Sequence, residues 1–125
     1  MAKRKTNKNT KKYKAKIDKR ERNKKDKEWS INIKYAYENK CAICKRNDVP
    51  LHTHHIIPRE IKELRHEPEN GIALCPLHHK FSLDISPHRN PLIFYSWFME
   101  RYPTSTNILI NMFKNLKGEK DGKTI

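Results

Sequence analysis

Hydrophobic positions along the chain fall into separated groups whose spacing differs. Trp29, Ile33, Ala36 and Tyr37 recur at helical intervals and predict a helix over about 28–39 that docks on a core. Residues 49–58 read as an extended segment closed by a proline, and Gly71-Ile72-Ala73-Leu74 as a short second strand. From Pro76 onward Leu77, Phe81 and Ile85 return to helical spacing, with Pro87 beyond the stop. The middle of the chain is therefore expected to run strand, loop, strand, helix. Asn90-Pro91 forms a good cap for a helix over 91–102 that is apolar almost all round. A last helix is expected to be capped by residues 104–106 and to carry Ile108, Leu109, Met112, Phe113 and Leu116, with Gly118 just past its end. Helical spacing in these aromatic segments points to a core or a homodimer seam rather than to a platform for stacked bases.

Residues 1–28 have no such pattern. They hold 14 lysines and arginines against four acids, a net +10 of the chain's +14, and after Met1 their only apolar side chains are Ala2, Tyr13, Ala15 and Ile17. Too little apolar surface offsets the entropy of ordering, so this stretch is expected to be a disordered or conditionally helical basic arm. The expected organisation is thus arm 1–28, domain 29–117 and a polar tail 118–125. A charge of this sign predicts attraction to polyanions, above all DNA, with contacts that weaken steeply in salt. No apolar run approaches the roughly 18 residues of a membrane span, and the lysine-rich start lacks the apolar stretch of a secretory signal, so the expected setting is cytoplasmic.

All three cysteines and all seven histidines lie between residues 41 and 88. Cys41-x2-Cys44 is a tight chelating turn, and Cys75-x2-His78 repeats its spacing 30 residues later. Together they make a closed tetrahedral site for structural zinc. A redox pair at Cys41 and Cys44 would lack its βαβ setting and would leave Cys75 unexplained. The two-residue spacing selects His78 as the ligand and leaves His79 free. Structural zinc contributes on the order of 10–16 kcal/mol coupled to folding, which a domain this small needs. The expected fold class is α+β, a small zinc-stapled ββα unit with flanking helices, and the His54-His55 pair lies on its first strand near the turn that carries His79.

The ordered set CxxC, HHIIP, ENGIALC, CxxHH resembles the HNH endonucleases of the zinc-stapled ββα-metal, treble-clef-like group. The stretch from Ser86 to Pro91 followed by residues 97–103 resembles compact phage-type members. The resemblance covers about residues 41–103. It implies that His55 is the general base, that Asn70 braces the loop holding it, and that His79 binds the catalytic divalent ion. His54 takes the neighbouring ligand position that many members fill with Asp, and His78 stands where a fourth Cys is usual. It implies hydrolysis of a DNA phosphodiester leaving a 5′-phosphate. It also suggests phage packaging proteins as partners and a bacterial or phage-infected cell as the setting.

The residues suit that chemistry. A neutral imidazole is a competent base near pH 7–8. One divalent ion on His54 and His79 can stabilise the leaving 3′-oxygen while keeping positions open for water and phosphate. Imidazole ligands favour Mn2+, Co2+, Ni2+ or Zn2+ over hard Mg2+. Arg59 and His88 are candidate substrate contacts, with the metal as the alternative partner of His88; His52 shares a strand face with His54 and is either a further ligand or exposed; His66 and Lys80 read as surface residues. The competing reading is a non-catalytic zinc-stapled nucleic-acid-binding module, for which the same charge and thiolates would serve.

Overall fold

A computed structural model describes residues 2–118, with side chains from residue 10 on. Among these residues it contains helix α1 (Ala2–Ala36), strands β1 (His52–His54) and β2 (Ile72–Leu74), and helices α2 (Pro91–Arg101) and α3 (Pro103–Lys117). A single 3-10 turn lies at Lys62–Leu64 and a single π turn at Leu77–Phe81. β1 and β2 pair antiparallel, with Thr53 opposite Ala73 between the flanking pairs His52–Leu74 and His54–Ile72. The core is small. Ile72, Leu74, Phe94 and Phe98 are buried together with Cys41 and Cys75. Two of the cysteines expected as metal ligands are thus part of the packing.

Of the two states expected for the arm, disordered or conditionally helical, the helical one is seen here: α1 runs unbroken from Ala2 to Ala36. No glycine or proline interrupts it, lysine and arginine are good helix formers, and Asp18–Arg22 and Glu21–Lys25 have the favourable acid-to-base spacing of four. Its C-terminal third is docked through Trp29 and Ile33, both buried. The docked part supplies the costly nucleus onto which the exposed part propagates. The helix also stops earlier than its apolar spacing suggests. Glu38 and Asn39 take left-handed φ values of 59° and 56°, and the Asn39 N–H donates to the Lys34 carbonyl at 2.7 Å, which closes the last turn.

The helix expected from Pro76 is only the five-residue turn 77–81. The Ser82 N–H donates to the Leu77 carbonyl, the wide π spacing, and Ser82 itself is extended. Leu77 and Phe81 are exposed, so their spacing does not mark a buried face. Both strands are likewise shorter than the extended segments that the sequence suggests. Pro103 opens α3 directly after Tyr102 instead of preceding a separate cap, and Asn90 caps α2 by accepting from the Ile93 N–H at 3.3 Å. Leu92, Ile93 and Met99 of α2 remain exposed. Of the expected tail at 118–125, residues 119–125 lie outside the described residues.

Candidate metal centres and active site

The two half-sites converge. Cys41, Cys44, Cys75 and His78 place one ligand atom each within 4.8 Å of one another. Cys44 Sγ and Cys75 Sγ are 3.8 Å apart, Cys41 Sγ and His78 Nδ1 3.8 Å, and Cys75 Sγ and His78 Nδ1 3.3 Å. Zinc–sulfur bonds of about 2.3 Å in a tetrahedron put neighbouring sulfurs about 3.8 Å apart, so the four residues could hold zinc. The first turn is closed by the Lys45 N–H donating to the Cys41 carbonyl at 2.8 Å, with Lys45 at φ 64°. The Ala42 N–H donates to the Ala73 carbonyl at 2.9 Å and ties that turn to β2. Burial opposes ionisation of Cys41, but backbone N–H groups of Cys44, Cys75 and Ile43 outweigh it and hold the thiol below its ordinary value. Burial, aided by the neighbouring Cys41, pushes the Cys75 thiol up to about 11. Crowded thiols that cannot all ionise alone are suited to a dication.

A second group is made of imidazoles. His54, His79 and His88 also bring their ligand atoms within 4.8 Å of one another. The Nε2 atoms of His79 and His88 are 3.2 Å apart, within the roughly 3.0–3.4 Å separating adjacent ligands that each lie about 2.1 Å from one ion. Burial and neighbouring histidines lower His54 to about 3 and His79 to about 4, so both offer lone pairs. The ligand atom of His88 thus lies with those of His54 and His79. His88 is carried by a turn in which the Arg89 N–H donates to the hydroxyl of buried Ser86 at 3.0 Å. His52 supports the group from behind, its Nδ1 2.9 Å from Nδ1 of His79. The Tyr95 hydroxyl of α2 is 2.9 Å from His54 Nε2. The π turn separates the adjacent His78 and His79, sending one to the thiols and the other to the imidazoles.

His55 faces elsewhere. Its Nε2 is 2.9 Å from the Arg65 carbonyl, an oxygen that only accepts, so Nε2 carries the proton and Nδ1 keeps its lone pair. Burial lowers its affinity for a second proton. The ring lies flat on Trp29, with centroids 4.0 Å apart and planes 7° from parallel.

Asn70, fully buried, holds the intervening loop at three points. Its Oδ1 accepts from the Ile57 N–H at 2.6 Å, and its Nδ2 donates to the carbonyls of Ile57 at 3.0 Å and Leu64 at 2.9 Å. The residue after Leu64 supplies the carbonyl that fixes His55.

Several contacts here have no sequence signature. Arg65 donates from Nε and one terminal nitrogen to the two carboxylate oxygens of Asp26, at 2.8 and 2.6 Å, and His66 Nε2 is 2.6 Å from the same carboxylate. His66, expected at the surface, is half-buried in that contact. The Arg65 hydrogen bond comes first among the effects that hold the Asp26 carboxyl down at about 2. Arg59 is exposed and lines an open cleft of about 550 Å³ between α1 and the 59–66 loop, facing Arg22, Lys25 and Lys62 as well as Asp18 and Glu21. Lys80 is exposed, as its place in the sequence suggests.

Residues 41–80 match the family model described as HNH endonuclease. Comparisons with curated proteins and with solved structures returned no match. The matched segment includes the thiolate group, both strands, His55, Asn70 and His79, and it ends before His88 and Tyr95. No helix among the described residues is long and apolar enough to cross a membrane.

Proposed function

From the HNH endonuclease domain at residues 41–80, which points to nuclease activity in general, we propose that this chain is a metal-dependent DNA endonuclease. The observation that carries the reading is the state of His55: its Nε2–H is engaged by a carbonyl and its Nδ1 is free to accept a proton. A histidine held in one tautomer, one residue after a member of the three-imidazole group, puts a base in the same segment as a candidate cation site. His55 takes the proton of the attacking water at Nδ1. Asn70 keeps the 57–64 loop, and through it the Arg65 carbonyl, in place. His54, His79 and His88 would hold one divalent ion of the Mn2+, Ni2+, Co2+, Zn2+ or Mg2+ group. When bound, that ion supplies Lewis-acid stabilisation to the phosphoryl oxygens and the departing 3′-oxygen. His52 orients His79 by accepting from its Nδ1–H, which leaves His79 Nε2 for the ion. The Nε2 of His54 faces Tyr95 and its Nδ1 remains for the metal.

Zinc at Cys41, Cys44, Cys75 and His78 is structural: all four positions are filled by protein, which leaves no place for substrate. Reduced thiols suit a cytoplasmic setting. The basic exposed part of α1 adds sequence-independent phosphate contacts, and Arg59 adds another from the cleft. A binding module without catalysis would use the same helix and the same zinc, but gives no role to a braced, single-tautomer His55. The test is nicking of supercoiled plasmid by the zinc-loaded chain across Mn2+, Ni2+, Co2+ and Mg2+. Cleavage with at least one of these, lost in His79→Ala and His88→Ala, supports the reading. Binding without cleavage under every metal overturns it.

A further inference from the structure

The segment that matches the nuclease family does not hold its base alone. Every contact that fixes the His55 ring from outside that segment comes from one face of α1. Asp26, Trp29, Ser30 and Ile33 are spaced three, four and seven residues from the first and so share that face. Asp26 clamps the Arg65 side chain with two hydrogen bonds, and the Arg65 carbonyl receives the His55 proton. Trp29 stacks on the His55 ring and donates from its indole nitrogen to the Glu67 carbonyl at 3.0 Å, two residues beyond Arg65. The Ser30 hydroxyl lies 3.0 Å from the Thr53 hydroxyl, midway along β1 and two residues before His55. Ile33 is buried beneath them. The strand, the ring and the loop around the base are thus all gripped by a helix about 25 residues away in sequence.

We propose that Asp26 and Trp29 are positioning residues for His55, so that α1 is part of the catalytic apparatus and not only an arm for DNA. Two independent constraints act on one imidazole. Trp29 fixes the ring plane. Asp26 restrains the segment that carries the tautomer-selecting carbonyl, because two charge-assisted bonds tether the Arg65 side chain to α1. A base free to rotate or to exchange tautomers spends less time with its lone pair on the attacking water, and misplacement on this scale costs about 10- to 100-fold in rate. His55 alone, of the residues with assigned roles, depends on α1 in this way; His54, His79 and His88 are oriented by His52, Tyr95 and the Ser86 turn.

This rests on the endonuclease reading, and the experiment separates the two. Full-length, zinc-loaded wild type, Asp26→Ala, Trp29→Leu and Trp29→Phe are compared in single-turnover cleavage, DNA affinity, zinc content and thermal unfolding. Asp26→Ala and Trp29→Leu are expected to cut about 10- to 100-fold more slowly, with DNA affinity within about twofold and one zinc retained. Trp29→Phe, which keeps a flat ring under His55, is expected to stay within about threefold of wild type. In a His55→Ala background neither substitution should slow the residual reaction further, because residues acting through one group are not additive. Nitrogen NMR of His55 supplies a readout that needs no activity: one Nε2–H tautomer in wild type, and a mixture in Asp26→Ala and Trp29→Leu. Wild-type rates in both variants, or slowing that persists in full without His55, would overturn the proposal. If wild type does not cut, the endonuclease reading fails, and an unchanged His55 tautomer in the variants would then sink the positioning role separately.

Discussion

Replacing Asn70 by alanine removes a side chain that spans from the start of the 57–64 loop to its end. Two groups lose their partner, the Ile57 N–H and the Ile57 carbonyl, and the Leu64 carbonyl loses one of its two donors. A buried polar group left unpaired costs about 1–3 kcal/mol. Ile57 is half-buried and water can partly satisfy its two groups, whereas the carbonyl of buried Leu64 keeps the Glu67 N–H at 3.2 Å and loses only its second donor. The sum is about 2 kcal/mol, a large share of the stability of a small domain, and corresponds to a fall in Tm of about 8–16 °C. Thermal unfolding of the zinc-loaded protein, followed by circular dichroism, measures it. Asn70→Asp separates lost hydrogen bonds from lost volume, since it keeps the size and the acceptor for Ile57 but turns a carboxylate oxygen toward two carbonyls. It is expected to be at least as destabilising as alanine at pH 7. Well below the lowered Tm, both variants should cut poorly because the Arg65 carbonyl is no longer held. A loss under about 0.5 kcal/mol for Asn70→Ala would refute the brace, because an exposed surface substitution costs no more than that.

Other outcomes follow from the same contacts. Gly71→Ala puts a Cβ 2.5 Å from Trp29 Cζ2 and 2.8 Å from two Ile33 side-chain carbons, and both neighbours are buried. It should cost about 1–3 kcal/mol in urea unfolding and slow cleavage by displacing Trp29 from His55; wild-type stability would contradict the close docking of α1. Stripping zinc with a strong chelator should unfold residues 41–80 and release about one equivalent of metal from the thiolate site, with loss of tertiary signal and recovery on adding zinc. A chelated protein that keeps its fold would contradict a structural role. Deleting residues 1–25 should weaken DNA binding and flatten its dependence on salt while leaving Asp26 and Trp29 in place. An unchanged salt slope would show that the exposed half of α1 does not touch phosphate.

Cysteine and histidine spacing makes much of this site legible in the sequence, because chelation demands short, fixed intervals and the two half-sites repeat one. The His54-His55 pair and Asn70 are legible by their order between those half-sites. Trp29 is visible as an apolar residue at helical spacing, but periodicity reports only that it is buried, not that the buried neighbour is the His55 ring. Asp26 is one acid in a run of lysines, and its partners are 39 and 40 residues away. Tyr95 sits in a segment apolar all round, where one hydroxyl does not alter the pattern. The arm reads as either disordered or conditionally helical because its own composition does not reveal the docked nucleus at Trp29 and Ile33 from which a helix can propagate. The π turn reads as a longer helix because Leu77, Phe81 and Ile85 repeat by spacing alone.

The central claim is that His55 is the base of a nuclease. Its most direct measurement is the single-turnover rate of plasmid nicking by wild type and His55→Ala at saturating divalent metal, with zinc content and DNA affinity checked in both. Loss of His55 should lower the rate by about 10²- to 10⁴-fold, the usual contribution of a general base, with zinc and affinity unchanged. Equal rates in the two proteins would contradict the account.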